Sequence, residues 1–124
     1  MRISNNFSRE EFACKCGCGF MSVDITLVTI AQVLRNKFNT TTIRSGCRCK
    51  AHNIDIKGHE NSYHTLGMAV DLSCEKGHPH EWIALLEKLG LTLYTDIVIY
   101  KKDNFIHVEL ELTKIRGDRK GQNG

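Results

Sequence analysis

The chain has 124 residues, 41% hydrophobic and 25% charged, the usage of one ordinary globular domain. That composition excludes intrinsic disorder or a fibrous repeat for the whole chain, and its single Pro excludes a Pro-rich linker. Seventeen basic and 14 acidic residues leave a net charge of +3, which suits an anionic partner but is too mild for a nucleic-acid binder.

The N-terminus lacks an apolar stretch of signal-peptide length, and no run approaches the ~20 apolar residues of a membrane span. Residues 7–12 read as a short helix, with Ser8 and Glu11 in capping-box spacing. Residues 23–38 form the clearest helix. Asp24 serves as N-cap, and Leu27, Ile30, Ala31, Leu34 and Phe38 recur at helical spacing. Residues 39–45 are rich in β-branched side chains and read as a strand. Residues 47–67 are polar and rich in His, Asn and Gly, and should form an ordered functional loop.

Residues 68–73 read as a short strand. Residues 78–90 read as a second main helix, with Pro79 in its first turn, Trp82, Leu85, Leu86 and Leu89 on one face, and Gly90 at its end. Two further strands, 95–100 and 105–112, flank a turn at 101–104. In the last, Ile106, Val108, Leu110 and Leu112 share a core-facing side, while Phe105, His107, Glu109 and Glu111 share the other. Residues 114–124 combine Lys114, Arg116, Arg119 and Lys120 with three Gly, and read as a flexible basic tail after a single domain over 1–113.

Six cysteines fall as Cys14, Cys16, Cys18, then Cys47, Cys49, then Cys74. The even count fits a disulfide set in an oxidising compartment, yet no export signal is present. The spacing is not that of paired Cys-x-x-Cys zinc ribbons, though three or four thiolates from these clusters would suffice for a structural zinc. Disulfides between the clusters, a structural zinc and plain reduced thiols all remain open.

His64, Asp71 and His107 form a second constellation. Two imidazoles and a carboxylate are enough to hold a catalytic zinc with one position left for water. Such an ion lowers the pKa of that water and polarises a carbonyl. Spacing alone equally allows three ordinary polar residues.

The surrounding motifs are more specific. Ser45, Gly46, Arg48, His52 and Asn53 read SGxRxxxHN, and Ser62, His64, Gly67, Ala69 and Asp71 read SxHxxGxAxD. With FSREEFACKCGCG before them and FIHVE after them, they resemble, in order, the zinc D-Ala-D-Ala carboxypeptidase family. That family includes phage L-alanyl-D-glutamate endopeptidases and shares its fold with the hedgehog signalling domain. The likeness runs from Phe7 to Glu109 and is greatest to the small cell-wall peptidases of phages and prophages.

The resemblance implies zinc held by His64, Asp71 and His107, a substrate carboxylate held by Arg48, and Ser62 lining the same cleft. It implies hydrolysis of a peptide bond in peptidoglycan stem peptides, of carboxypeptidase or endopeptidase type. One position departs. Many members carry the catalytic acid three residues before the last His ligand, where this chain has Asn104. Asp103 is the first candidate to replace it, and Glu109, on the strand face of His107, is the second. Residues 91–102 also lack the glycines usual before the last strand.

The expected architecture is α+β: two main helices on one face of a small, mainly antiparallel sheet, and the zinc cleft on the other. The expected partner is a peptidoglycan stem peptide, with no nucleic acid and no membrane insertion, and the expected state is a monomer. Without a signal peptide the chain is expected to be made in the cytoplasm and to act at the wall after release or from a phage particle. The alternative is a zinc-containing wall-binding or phage structural module without turnover, which Asn104 favours.

Overall fold

The structure is a computed structural model that describes residues 1–111. The basic segment 114–124 and Leu112 lie outside the described residues. Among the described residues the elements run α1 (Ile25–Phe38), β1 (Thr41–Ser45), α2 (Lys50–Asp55), β2 (Ala69–Cys74), α3 (Pro79–Lys88), β3 (Thr95–Tyr100) and β4 (Phe105–Leu110). Two 3-10 turns, Arg9–Phe12 and Tyr63–Leu66, complete them.

The four strands form one antiparallel sheet in the order β1-β2-β4-β3. Its alternation decides where everything else goes. Val70 and Leu72 of β2 and Ile106, Val108 and Leu110 of β4 point to one face and are buried. Against them pack Leu27, Ile30, Ala31 and Leu34 of α1 and Trp82 and Leu86 of α3. Burying each of the large side chains is worth roughly 1.5–3 kcal/mol, so this layer supplies most of the fold's cohesion. The α+β expectation, with two main helices on one sheet face, holds.

Local signals set the element ends. Asp24 Oδ1 accepts from the Thr26 N–H at 2.8 Å and starts α1. Glu11 accepts from the Ser8 N–H at 2.8 Å ahead of the first 3-10 turn, which buries Phe12. Pro79 opens α3, and the Trp82 indole N–H donates to the Lys76 carbonyl at 2.9 Å.

Two expectations need correction. Leu89 is not on the buried face of α3. It caps the helix C-terminus and is 53% exposed, because the helix ends one residue before it. Residues 47–67 are not one extended loop. They contain α2, six residues long and too short to show a hydrophobic period, and the 3-10 turn Tyr63–Leu66.

Gly67 joins that turn to β2 and therefore sets the relation of His64 to Asp71. Its φ is +70°, and a Cβ there would meet Ser22 backbone atoms at 2.7 to 2.8 Å. We expect Gly67→Ala to cost at least about 1–2 kcal/mol, from the left-handed backbone alone. Urea unfolding checks it, and an unchanged midpoint would contradict this placement.

Candidate metal centre

Strand register builds the site. Asp71 of β2 and His107 of β4 are direct cross-strand partners, and Val98 of β3 pairs with His107 on its other side. All three are at positions opposite to the core-facing residues, so they line the free face of the sheet. His107 Nδ1 lies 2.7 Å from Asp71 Oδ1. Its other nitrogen, Nε2, lies 2.8 Å from Glu109 Oε1, two residues along the same strand face.

The third member arrives from outside the sheet. The ladder between β1 and β2 shifts register between Ile43 and Ser45, which turns the chain into Gly46 and Arg48. The Gly46 carbonyl accepts a 2.6 Å hydrogen bond from His64 Nδ1. Nδ1 therefore carries the proton, and Nε2 presents a lone pair. That Nε2 is buried, has no hydrogen-bond partner, and points to Asp71 Oδ1 at 3.4 Å.

A buried nitrogen lone pair with no donor is costly unless something else satisfies it. Zinc ligands at 2.0–2.1 Å in tetrahedral array sit about 3.3 Å apart. The His64–Asp71 separation of 3.4 Å fits that edge, and the donor atoms of His64, Asp71 and His107 all lie within 4.8 Å of one another. The three residues therefore fit a metal ion, with Glu109 holding the far nitrogen of His107 as carboxylates do behind zinc-bound imidazoles.

The charges agree with this geometry. Burial opposes ionisation of Asp71, but the hydrogen bond from His107 outweighs it and holds its carboxyl far below the usual range. Burial likewise disfavours the His107 imidazolium, yet Asp71 and then Glu109 raise its pKa above the ordinary value. In the metal-free protein, Asp71 stabilises the fold above its unfolded pKa of ~3.9, and loses this as pH falls through its lowered folded pKa. His107 stabilises it below ~6.5, and loses this as pH rises through its raised folded pKa.

Above the metal-capable group opens a cleft of about 720 Å³. The segment between α2 and β2, from Lys57 to Tyr63, lines one side, and Val98 and Tyr100 of β3 line the other. Arg48 lies inside it, half-buried. Its Nε donates to Ser45 Oγ at 3.3 Å, its NH1 to Asn53 Oδ1 at 3.1 Å, and its NH2 is 3.8 Å from Asp71 Oδ2. Burial lowers the Arg48 pKa, with Asp71 opposing. Asn53 in turn donates to the His59 carbonyl at 2.7 Å, so one buried amide ties the arginine to the cleft wall. Ser62 lines the cleft, but its hydroxyl oxygen accepts from the His64 N–H at 3.1 Å and caps the second 3-10 turn.

Asp103 is not brought to this site. It sits exposed in the β3–β4 turn, outside the cleft lining, and its carbonyl accepts from Arg44 at 3.0 Å. Of the two candidate acids, Glu109 is the one beside the metal-capable group. Asn104 is in the same turn with φ +54°, a left-handed conformation that Asn tolerates better than most residues. The Gly46 carbonyl, Asn53 and Tyr100 were not singled out from sequence for these roles, since each acts through a contact between distant segments.

The Peptidase M15 family model matches residues 5–109, and the chain belongs to that family. M15 peptidases are zinc-dependent, and the His64, Asp71 and His107 group can hold such an ion. No curated protein and no solved structure matches the chain.

In chelator-treated protein, we expect Asp71→Asn to be most destabilising between about pH 4 and 6.5, where both ionised partners persist. Thermal unfolding of wild type and variant across pH checks this. An equal difference at pH 2.5 and pH 5.5 would contradict the pairing.

Proposed function

We propose that the protein is a zinc metallopeptidase that hydrolyses a peptide bond in peptidoglycan stem peptides. The observation that supports it most is the buried, unpartnered Nε2 of His64, aimed at Asp71 beside His107 on the floor of an open cleft. Membership of a zinc-dependent peptidase family gives that geometry its chemistry.

Zinc, when bound, supplies Lewis-acid polarisation of the scissile carbonyl and activation of water. His64 contributes a neutral nitrogen whose tautomer the Gly46 carbonyl holds. Asp71 contributes a carboxylate that stays ionised throughout the physiological range. Glu109 holds His107 through Oε1, and its side chain is 28% exposed to the cleft. Its other oxygen, Oε2, is the proposed acceptor of a proton from the attacking water and the proposed donor to the leaving amine. Arg48 is fixed by Ser45 and Asn53, so its remaining donors form a pre-set fork for a substrate carboxylate. Stem peptides are short, extended and rich in carboxylates, and the cleft's size and Arg48 suit them. The net charge of +3 favours approach to an anionic wall.

Non-catalytic zinc binding is the second reading, and it rests on Asn104, which stands where many family members carry the acid. We expect Glu109→Gln to lower the rate of muropeptide cleavage about 10²–10⁴-fold, the usual scale of general acid–base assistance, with zinc content retained. Asp103→Asn should cleave at the wild-type rate. Mass spectrometry of products from purified peptidoglycan reads both. Full activity in Glu109→Gln with loss in Asp103→Asn would reverse the assignment, and zinc-loaded wild type that cleaves no stem peptide would remove the substrate proposal.

A further inference from the structure

A second group of potential ligands lies apart from the cleft. The sulfurs of Cys14, Cys16, Cys18 and Cys49 all fall within 4.8 Å of one another. Cys14 and Cys16 are 3.4 Å apart, and Cys16 and Cys49 are 3.7 Å apart. Four thiolates around zinc, at ~2.3 Å each, give tetrahedral edges of about 3.8 Å. The Cys16–Cys49 separation matches those edges, and the Cys14–Cys16 separation falls a few tenths of an ångström inside them. Every cysteine of the described residues is free, so no sulfur of the cluster is committed to another bond.

The local backbone is arranged for this convergence. Cys14, Cys16 and Cys18 come from one tight loop in which Gly17 and Gly19 take φ of +83° and +92°. Those values suit glycine and strain other residues, and they let alternate side chains turn toward one centre. The fourth sulfur comes from a stretch distant in sequence, at the residue that caps α2. Backbone N–H groups point at the sulfurs: Cys49 N–H donates to Cys14 Sγ and His52 N–H to Cys49 Sγ, both at 3.4 Å. Such donors stabilise thiolate charge in metal sites. Lys15 and Lys50 adjoin the ligands in sequence and offset the double negative charge of a tetrathiolate zinc. The other two cysteines are used otherwise. Cys47 donates to the Phe20 carbonyl at 3.1 Å, and Cys74 is buried against Thr41.

We propose that Cys14, Cys16, Cys18 and Cys49 form a tetrathiolate site for a structural zinc ion that clasps the N-terminal loop to the segment bearing Arg48. Four protein ligands close the coordination sphere and leave no place for water, so the site is structural rather than catalytic. Its position gives it a purpose. Cys49 directly follows Arg48, and Gly46, three residues before Cys49, carries the carbonyl that orients His64. The ion therefore braces the same segment that positions two residues of the cleft. Loading replaces the thiol protons, which leave to solvent.

The test is metal content and cobalt substitution in full-length protein purified under reducing conditions. Cys16 and Cys18 are exposed, so Ser at either position leaves the core intact. We expect Cys16→Ser and Cys18→Ser each to lose about one zinc per chain relative to wild type, while Cys47→Ala and Cys74→Ala lose none. With cobalt in place of zinc, His107→Ala should keep the intense thiolate-to-cobalt charge-transfer band, and Cys18→Ser should lose or markedly weaken it. Zinc content unchanged in both Ser variants would overturn the proposal, as would absence of the thiolate band in His107→Ala. A native protein with four unreactive thiols and no metal at them would replace it with two disulfides. These readouts concern sulfur ligation alone, so they stand or fall separately from the peptidase reading, which cleavage assays judge.

Discussion

The cross-strand pair of Asp71 and His107 is the constraint around which the rest is arranged. Two ionisable side chains on adjacent strands, each mostly buried, are costly unless every polar atom has a partner. Here Asp71 faces His107, His64 and Arg48, and His107 faces Asp71 and Glu109. The pair exists only in one register. A one-residue slip of β4 against β2 would send His107 and Glu109 into the layer of Leu34 and Trp82 and bring Val108 to the cleft. The same apolar alternation that holds the helices therefore fixes the polar group on the opposite face.

What surrounds the pair is a set of restraints on orientation. The Gly46 carbonyl decides the His64 tautomer, and Glu109 turns the His107 ring. Asn53 and Ser45 immobilise Arg48. Three of these depend on the chain between β1 and β2, which lines the cleft without belonging to the sheet. Its anchors are short-range and polar: Arg48 N–H to the His64 carbonyl at 2.9 Å, Cys47 N–H to the Phe12 carbonyl at 2.9 Å, and close packing of Gly46 on the Phe12 backbone. A metal clasp at Cys49 adds a stronger restraint where hydrophobic packing is thin.

Much of this was legible in the sequence because it follows from periodicity. The α1 stripe and the alternation of β4 name their buried residues directly, and that alternation puts Glu109 beside His107. The motif residues His64, Asp71 and His107 converge although 43 positions separate the first from the last. What could not be read depends on contacts between distant segments or on single dihedrals. Linear proximity ranked Asp103 above Glu109, but the β3–β4 turn carries Asp103 away from the cleft. The left-handed turn conformation of Asn104 is likewise a single dihedral that no periodicity reveals. The cysteine spacing suggested several chemistries, and only the fold shows that Cys49, not Cys47, joins the N-terminal three.

The proposed peptidase chemistry stands on one zinc ion held by His64, Asp71 and His107. Anomalous scattering at the zinc edge, from crystals of the protein grown with zinc, tests it most directly. A peak is expected about 2.0–2.2 Å from His64 Nε2, an Asp71 carboxylate oxygen and a His107 ring nitrogen. An ordered cleft with no peak there, while His64 Nε2 bonds to water or protein instead, would contradict it.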